Sequence, residues 1–290
     1  MIIINSVVFF VALSALTPAA PQRAAVPLEA ADCSQARSTF GSGQVAYAVQ
    51  HASVPLSAGT LDVTPNQNGG VRIQRGSGAG YTITACIAAG AETREEAQRA
   101  ADAVRLQISG NRVSVSEGPR VRSWSVQLIV EAPAGAQIDA RTTNGPISID
   151  GVDGSITARA TNGPIAINDV TGAVRAVAVN GPISVSGSGG NLDVETQNGP
   201  ISVNLQGTRW AGELHARAQN GPLSVRVSDG FTSGVEISSS GRSPWNCRVA
   251  ACGSAVIGDE RGARSVRLGA GPVVVTLSTV NGPVTLDRAR

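Results

Sequence analysis

The chain has 290 residues, 42% of them hydrophobic and only 3% aromatic, which suits thin cores of Val, Ile and Ala and excludes a large aromatic one. The net charge is +2, and every basic residue is an Arg, spread along the chain rather than gathered in a block. That dispersion, with so few aromatic rings, argues against a nucleic-acid partner.

Ile2 to Leu16 is almost wholly apolar and is followed by the small residues Thr17-Pro18-Ala19-Ala20. Residues 1–20 therefore read as a secretory signal peptide with cleavage near Ala19. The segment lacks a Lys or Arg at its start, so an uncleaved N-terminal membrane anchor stays open beside it, Ile2 to Ala20 being almost long enough to span a bilayer. Either way the folded part is expected to be exported: periplasmic, cell-surface or extracellular. Residues 21–32, rich in Ala and Pro, read as a flexible lead-in.

Four cysteines in an exported chain point to disulfides. Proximity favours Cys33 with Cys86 and Cys247 with Cys252, with loop-entropy contributions of about 4 and about 2 kcal/mol. Metal ligation is the alternative for these thiols, but no His lies near either pair, and no cofactor is expected.

Residues 33–133 read as a strand-rich capping domain. Alternating runs at 44–50, 60–64, 71–75 and 81–88 are separated by Gly-rich turns, as in an antiparallel meander. Gly76-Ser77-Gly78-Ala79-Gly80 has the look of a phosphate loop but precedes a strand, so it reads as a hairpin loop. A single helix is expected over 92–103, acidic in its first turn, with Ala97, Ala100, Ala101 and Val104 on one face. Strands at 104–109, 112–116 and 124–131 lead to the boundary Pro133-Ala134-Gly135.

Residues 134–290 are organised by six copies of Asn-Gly-Pro, starting at Asn144, Asn162, Asn180, Asn198, Asn220 and Asn281. A unit of about 18 residues cannot bury its own apolar side chains and must stack on its neighbours. Laid under one another, the units give period-two columns. Ile147, Ile165, Ile183, Ile201 and Leu223 form one, and Ile149, Ile167, Val185, Val203 and Val225 the next. A second strand per unit contributes Ile156, Val174, Leu192 and Leu214, then Ala158, Ala176, Val194 and Ala216. The fold class expected is mainly β, a parallel β-solenoid with two strands per coil.

Gly would carry the corner through conformations closed to other residues, and Pro would fix φ where its missing N–H costs least. The Asn column has two readings, a good turn residue or a ladder of side-chain amides along the stack. Arg175 with Asp193, and Glu195 with Arg217, are one unit apart and are expected to lie side by side on neighbouring strands.

Trp210 falls in Gly207–Gly212, where the one 22-residue unit takes up its extra length, and Trp245 abuts the Cys247/Cys252 loop. Exposed, they would be binding anchors; buried, they would be local plugs. After Phe231 the repeat loosens, and strands at 273–277 and 284–286 are expected to close the stack. His51 and His215 are the only imidazoles, and no nucleophile elbow or zinc-protease motif is present. Asp150, Asp153 and Asp169 do not form the glycine–aspartate nonapeptide of calcium-binding β-rolls.

The stretch VQLIVEAPAGAQIDARTTNGPISIDGVDGSITARATNGPIAINDVTGAV resembles the bacterial "putative adhesin" family, the toast-rack β-solenoids. The resemblance is carried by the strand ending in Ala132-Pro133, the Thr143-Asn144-Gly145 corner, and the turns Val152-Asp153-Gly154 and Val170-Thr171-Gly172. It implies an exported β-solenoid of the cell envelope. The residues themselves favour a non-catalytic binding or structural role, with an envelope or extracellular protein or glycan as partner. The rival reading is a β-helix enzyme acting on polysaccharide, which requires a carboxylate patch on one face.

Overall fold

A computed structural model describes residues 33, 43–116, 118, 123–228, 230–240, 244–249, 258–260 and 263–289. The signal peptide and lead-in expected over residues 1–32, and Cys252, lie outside the described residues. No helix among the described residues is long and apolar enough to cross a membrane.

In chain order the N-terminal strands are β1 (Gln44–Pro55), β2 (Leu61–Val63), β3 (Gly70–Arg75), β4 (Gly80–Ala91), β5 (Leu106–Ser109), β6 (Arg112–Val115) and β7 (Ser123–Ala132), with helix α1 (Arg94–Ala103) after β4. The repeats supply β8 (Ala136–Thr142), β9 (Ile147–Asp150), β10 (Gly154–Ala160), β11 (Ile165–Asn168), β12 (Ala173–Ala178) and β13 (Ile183–Gly187). They continue as β14 (Asn191–Thr196), β15 (Ile201–Leu205), β16 (Leu214–Asn220) and β17 (Leu223–Val227). The C-terminal strands are β18 (Gly234–Ser239), β19 (Trp245–Cys247), β20 (Gly258–Glu260), β21 (Ala263–Leu268), β22 (Val273–Asn281) and β23 (Val284–Arg288).

Strands alternate between two sheets. Sheet A runs β1-β4-β7-β3-β9-β11-β13-β15-β17-β23-β19, and sheet B runs β20-β21-β18-β22-β16-β14-β12-β10-β8-β2-β6-β5. Each Asn-Gly-Pro unit is one coil, with one strand in each sheet. Pairing is parallel, and every residue sits opposite its counterpart one unit away: Ile165 lies between Ile147 and Ile183, and Ala158 between Ala140 and Ala176. The inward columns are buried and join one continuous core from Val54 to Leu286. Each such Ile, Val or Leu contributes about 1.5–3 kcal/mol by leaving water.

The corner glycines correct the sequence expectation. None of Gly145, Gly163, Gly181, Gly199, Gly221 or Gly282 has a positive φ, so backbone freedom is not why Gly is required there. The reason is close approach. A Cβ on Gly163 would lie 2.0 Å from the carbonyl oxygen of Gly145, and one on Gly181 2.2 Å from that of Gly163. The following Pro forgoes its donor, while its carbonyl accepts from the coil before it: Ile147 N–H donates to Pro164 C=O and Ile165 N–H to Pro182 C=O.

The N-terminal region is not a simple meander. The antiparallel run β1-β4-β7 extends sheet A, and the pair β5-β6 extends sheet B. But β2 and β3 do not pair with each other. They lie in opposite sheets as a full coil, Leu61 opposite Ile138 and Val71 opposite Ile147. The stack thus begins ahead of the first Asn-Gly-Pro. Nor is Gly76–Gly80 a hairpin loop, because β7 separates β3 from β4. α1 starts at Thr93, whose side chain accepts from Glu96 N–H while the Glu96 carboxylate accepts from Thr93 N–H, and it buries Ala97, Ala100 and Ala101. Cys33 and Cys86 form a disulfide with Cα atoms 5.5 Å apart, tying the N-terminal segment to β4.

At both ends, order in space departs from order in sequence. At the front, β6 and β7 form a coil outside β2 and β3, and the chain passes over that earlier coil to continue at β8. At the back, β18 and β19 take the outer position first, and β22 and β23 are then inserted between them and β16 and β17. Val284 accordingly pairs with Leu223 on one side and Trp245 on the other.

Candidate interaction faces

Three features on the outside repeat along the stack: a ridge of amides at the corner and the two sheet faces. Along the ridge, the Nδ2 of each Asn donates to the Oδ1 of the one before it, from Asn162 to Asn144 at 2.9 Å, through Asn180 and Asn198, to Asn220 at 3.1 Å and Asn281 at 3.0 Å. The row extends further forward than the tripeptides do, since Asn144 donates to Asn68 at 3.0 Å. Asn68 heads the sequence Asn-Gly-Gly, so its signal was an Asn-Gly followed by a residue other than Pro. The ridge amides are exposed but committed to one another, which makes the ridge a structural seam.

Sheet B carries charge. Arg175 and Asp193 form a cross-strand ion pair, and Glu195 and Arg217 are cross-strand partners. Toward the N-terminal end, Asp62 and Asp139 sit among Arg112, Arg141 and Arg159, with Arg141 3.2 Å from Asp62 and Arg159 2.9 Å from Asp139. Exposed pairs of this kind contribute about 0–1 kcal/mol each. Asp62 lies directly opposite Asp139 and Arg141 opposite Arg159, and the ion pairs run diagonally between these rows, so that each like-charge contact is offset by an opposite charge. His215 lies beside Asp193 and 3.6 Å from Glu213. His51 Nδ1 contacts Thr84 Oγ1 at 3.1 Å, far along the chain from His215.

Sheet A is different. Its outward lane over β9, β11, β13, β15, β17 and β23 is Ser148, Ala166, Ser184, Ser202, Ser224 and Thr285, all short and in register. The lane beside it is Asp150, Asn168, Ser186, Asn204, Arg226 and Asp287. Its members hydrogen-bond along the stack, Asn168 to Asp150 at 2.8 Å and Asn204 to Ser186 at 3.2 Å. Near the C-terminal end Asn204, Arg226, Arg248, Asp287 and Arg288 line an open cleft of about 670 Å³.

All three Trp side chains lie at the margins of the core. Trp210 is 4% exposed, its indole N–H donating to Gly190 C=O at 3.0 Å, so it presents no surface for contact and instead fills the space under the long unit's loop. Trp245, in the inward register of β19, packs on the last coil, and Trp124 does the same on β7 at the opposite end. Both are half-buried. Cys247 is disulfide-bonded, while residues 250–252 of its expected loop lie outside the described residues. Among the described residues no group of three or more His, Cys, Asp or Glu could hold a metal ion.

Register and strand order define a two-sheet β-solenoid of parallel coils, flanked at both ends by non-repeating strands that pair in part antiparallel. No family model and no curated protein matches the chain. Among solved structures it is similar to a putative cell adhesion protein from Clostridium sporogenes, at 8% identity and a TM-score of 0.34, covering 84% of this chain and all of the other. It is similar also to a putative adhesin from Bacteroides fragilis, at 10% identity and a TM-score of 0.36, covering 84% and 97%. A putative adhesin from Parabacteroides merdae follows at 7% identity and a TM-score of 0.24, covering 84% and 96%. These names coincide with the resemblance carried by the Thr-Asn-Gly corners. The fold itself is read from the register above and not from these superpositions.

Proposed function

We propose that the chain is an exported, adhesin-like β-solenoid that binds an envelope or extracellular protein or glycan through its sheet faces and performs no chemistry on it. The observation that carries this reading is the lane of small side chains on sheet A, held in register over six adjacent strands. Such a surface is flat, rigid and rich in hydroxyls, and it loses little side-chain entropy when a partner is laid along it. The Cys33–Cys86 disulfide fits an oxidising compartment, in line with the apolar N-terminal segment. The word adhesin comes from the resemblance and from the names of the similar structures; the physical support is the lane.

The test immobilises the full chain and passes polysaccharide and protein fractions of a bacterial envelope over it. Retention is expected, with polysaccharide recovered at its original length. Ser184→Val combined with Ser202→Val, which keeps the strand shape and removes two hydroxyls, is expected to lower retention. Shortened polysaccharide, or retention indifferent to the double change, would overturn the reading.

A further inference from the structure

The cleft at the C-terminal end of sheet A has a composition unlike the rest of that face. Its column reads Asn204, Arg226, Asp287 and then Arg248, on four successive strands about 4.8 Å apart. Arg248 N–H donates to Leu286 C=O at 2.8 Å, which fixes its place beside Asp287, and its Nη1 lies 3.6 Å from the Asp287 carboxylate. Arg226, on the other flank of Asp287, is exposed and has no acidic partner among the described residues. Arg288 adds a third guanidinium at the strand end, so the described lining residues include three guanidiniums and one carboxylate. The lane leading to it is by contrast amide and hydroxyl: Gln206 and Asn204 both donate to Ser186, at 2.9 and 3.2 Å.

We propose that this cleft binds the carboxylate or sulfate groups of an acidic polysaccharide whose chain runs along the polar lane. The inference rests on the binding reading above and names its ligand class. Guanidinium forks match the paired oxygens of carboxylate and sulfate and hold them with charge-assisted hydrogen bonds. Asp287 keeps Arg248 in place and leaves Arg226 open to the ligand. The volume, about 670 Å³, is in the range of small-molecule sites and suits a short run of sugar units. Extended sugar chains offer hydroxyls at intervals close to the strand spacing, so the same ligand engages Ser186, Asn204 and the Ser lane in turn. A nucleic acid is disfavoured because no aromatic ring is among the described residues lining the cleft.

The test is calorimetric titration of the full chain with polygalacturonate, dextran sulfate and neutral dextran, with anionic phospholipid vesicles and an oligonucleotide as comparators. The polyanionic glycans are expected to bind more tightly than neutral dextran, and less tightly as salt is added. Arg226→Gln is expected to weaken polyanion binding about tenfold or more. Arg175→Gln on sheet B is expected to leave it unchanged. Equal affinity for Arg226→Gln and the parent chain, no binding of either polyanion, or tighter binding to vesicles or oligonucleotide would overturn the proposal. Envelope fractions retained while both polyanions fail would remove the cleft and leave the broader reading standing. Nothing retained at all would remove the broader reading itself.

Discussion

The middle coils and the two ends solve different problems with the same strands. From β8 to β17 neighbours in sequence are neighbours in space, each residue sits on its counterpart one unit away, and every instruction is local. At the ends the order is exchanged, aromatic side chains other than Trp210 appear among the described residues and a disulfide is added. Repetition is enough to specify growth of a stack but says nothing about stopping. Stopping takes non-repeating residues that cover the last strands, because an uncovered edge invites further pairing.

The largest expected break in this comparison comes from the front. Replacing Cys33 and Cys86 by Ala should cost about 4 kcal/mol from a cross-link spanning 53 residues. Hydrogen exchange should show β1 and β4 losing protection while β11 to β15 keep theirs. Equal loss along the whole stack would show that ends and middle unfold as one unit.

Gly181→Ala and Gly282→Ala probe whether place in space or place in sequence decides. The added methyl would sit 2.2 Å from Gly163 C=O in one case and 2.0 Å from Gly221 C=O in the other, so both should destabilise by about 3 kcal/mol in urea unfolding. A much smaller loss for Gly282→Ala would mean that the inserted coil yields where the middle does not.

Asn180→Asp removes the amide that donates to Asn162 and places a charge in the row, whereas Asn281→Asp touches, among the described residues, one side-chain link, that to Asn220. The expected losses are about 2 and about 1 kcal/mol, read as midpoints in thermal melts. Equal losses would reduce the row to turn chemistry.

The smallest effect concerns Tyr81, fully buried where the front meets the repeats. Its hydroxyl donates to Gln137 C=O at 3.1 Å and accepts from Gln137 N–H at 2.9 Å. Burial raises the phenol above its ordinary value, with the Gln137 backbone bond acting the other way. Because the folded value lies above the unfolded one, the neutral phenol's contribution is intact below about pH 10 and is lost as pH climbs through the folded value. Tyr81→Phe should cost about 1 kcal/mol near neutrality and should flatten that alkaline loss.

Much of the stack was legible because one column of Ile or Val every 18 residues admits only one register. Ile147, Ile165 and Ile183 are stacked as their spacing dictates. The coil of β2 and β3 was harder to see, since Leu61, Val63, Val71 and Ile73 fit the columns but lie far from the next unit in sequence. Its one mark was Asn68-Gly69-Gly70. The role of the corner glycines was misread because close approach between coils is a property of the stack and leaves no trace within a single unit. The cleft was invisible for a similar reason. Arg226 and Asp287 are separated by a long excursion of the chain, and only the insertion of β23 beside β17 brings them together.

That insertion also bears on how the protein is made. As the chain is synthesised, the segment holding β18 and β19 is complete before its parallel partners β22 and β23 exist. Its parallel pairing becomes available only once β22 and β23 have been made. Loss of β22 and β23 would leave this segment without its parallel partners and β17 with an uncovered edge. β22 and β23 thus act as a bolt: a pair of strands later in sequence slides between the repeats and an earlier segment and holds the two together.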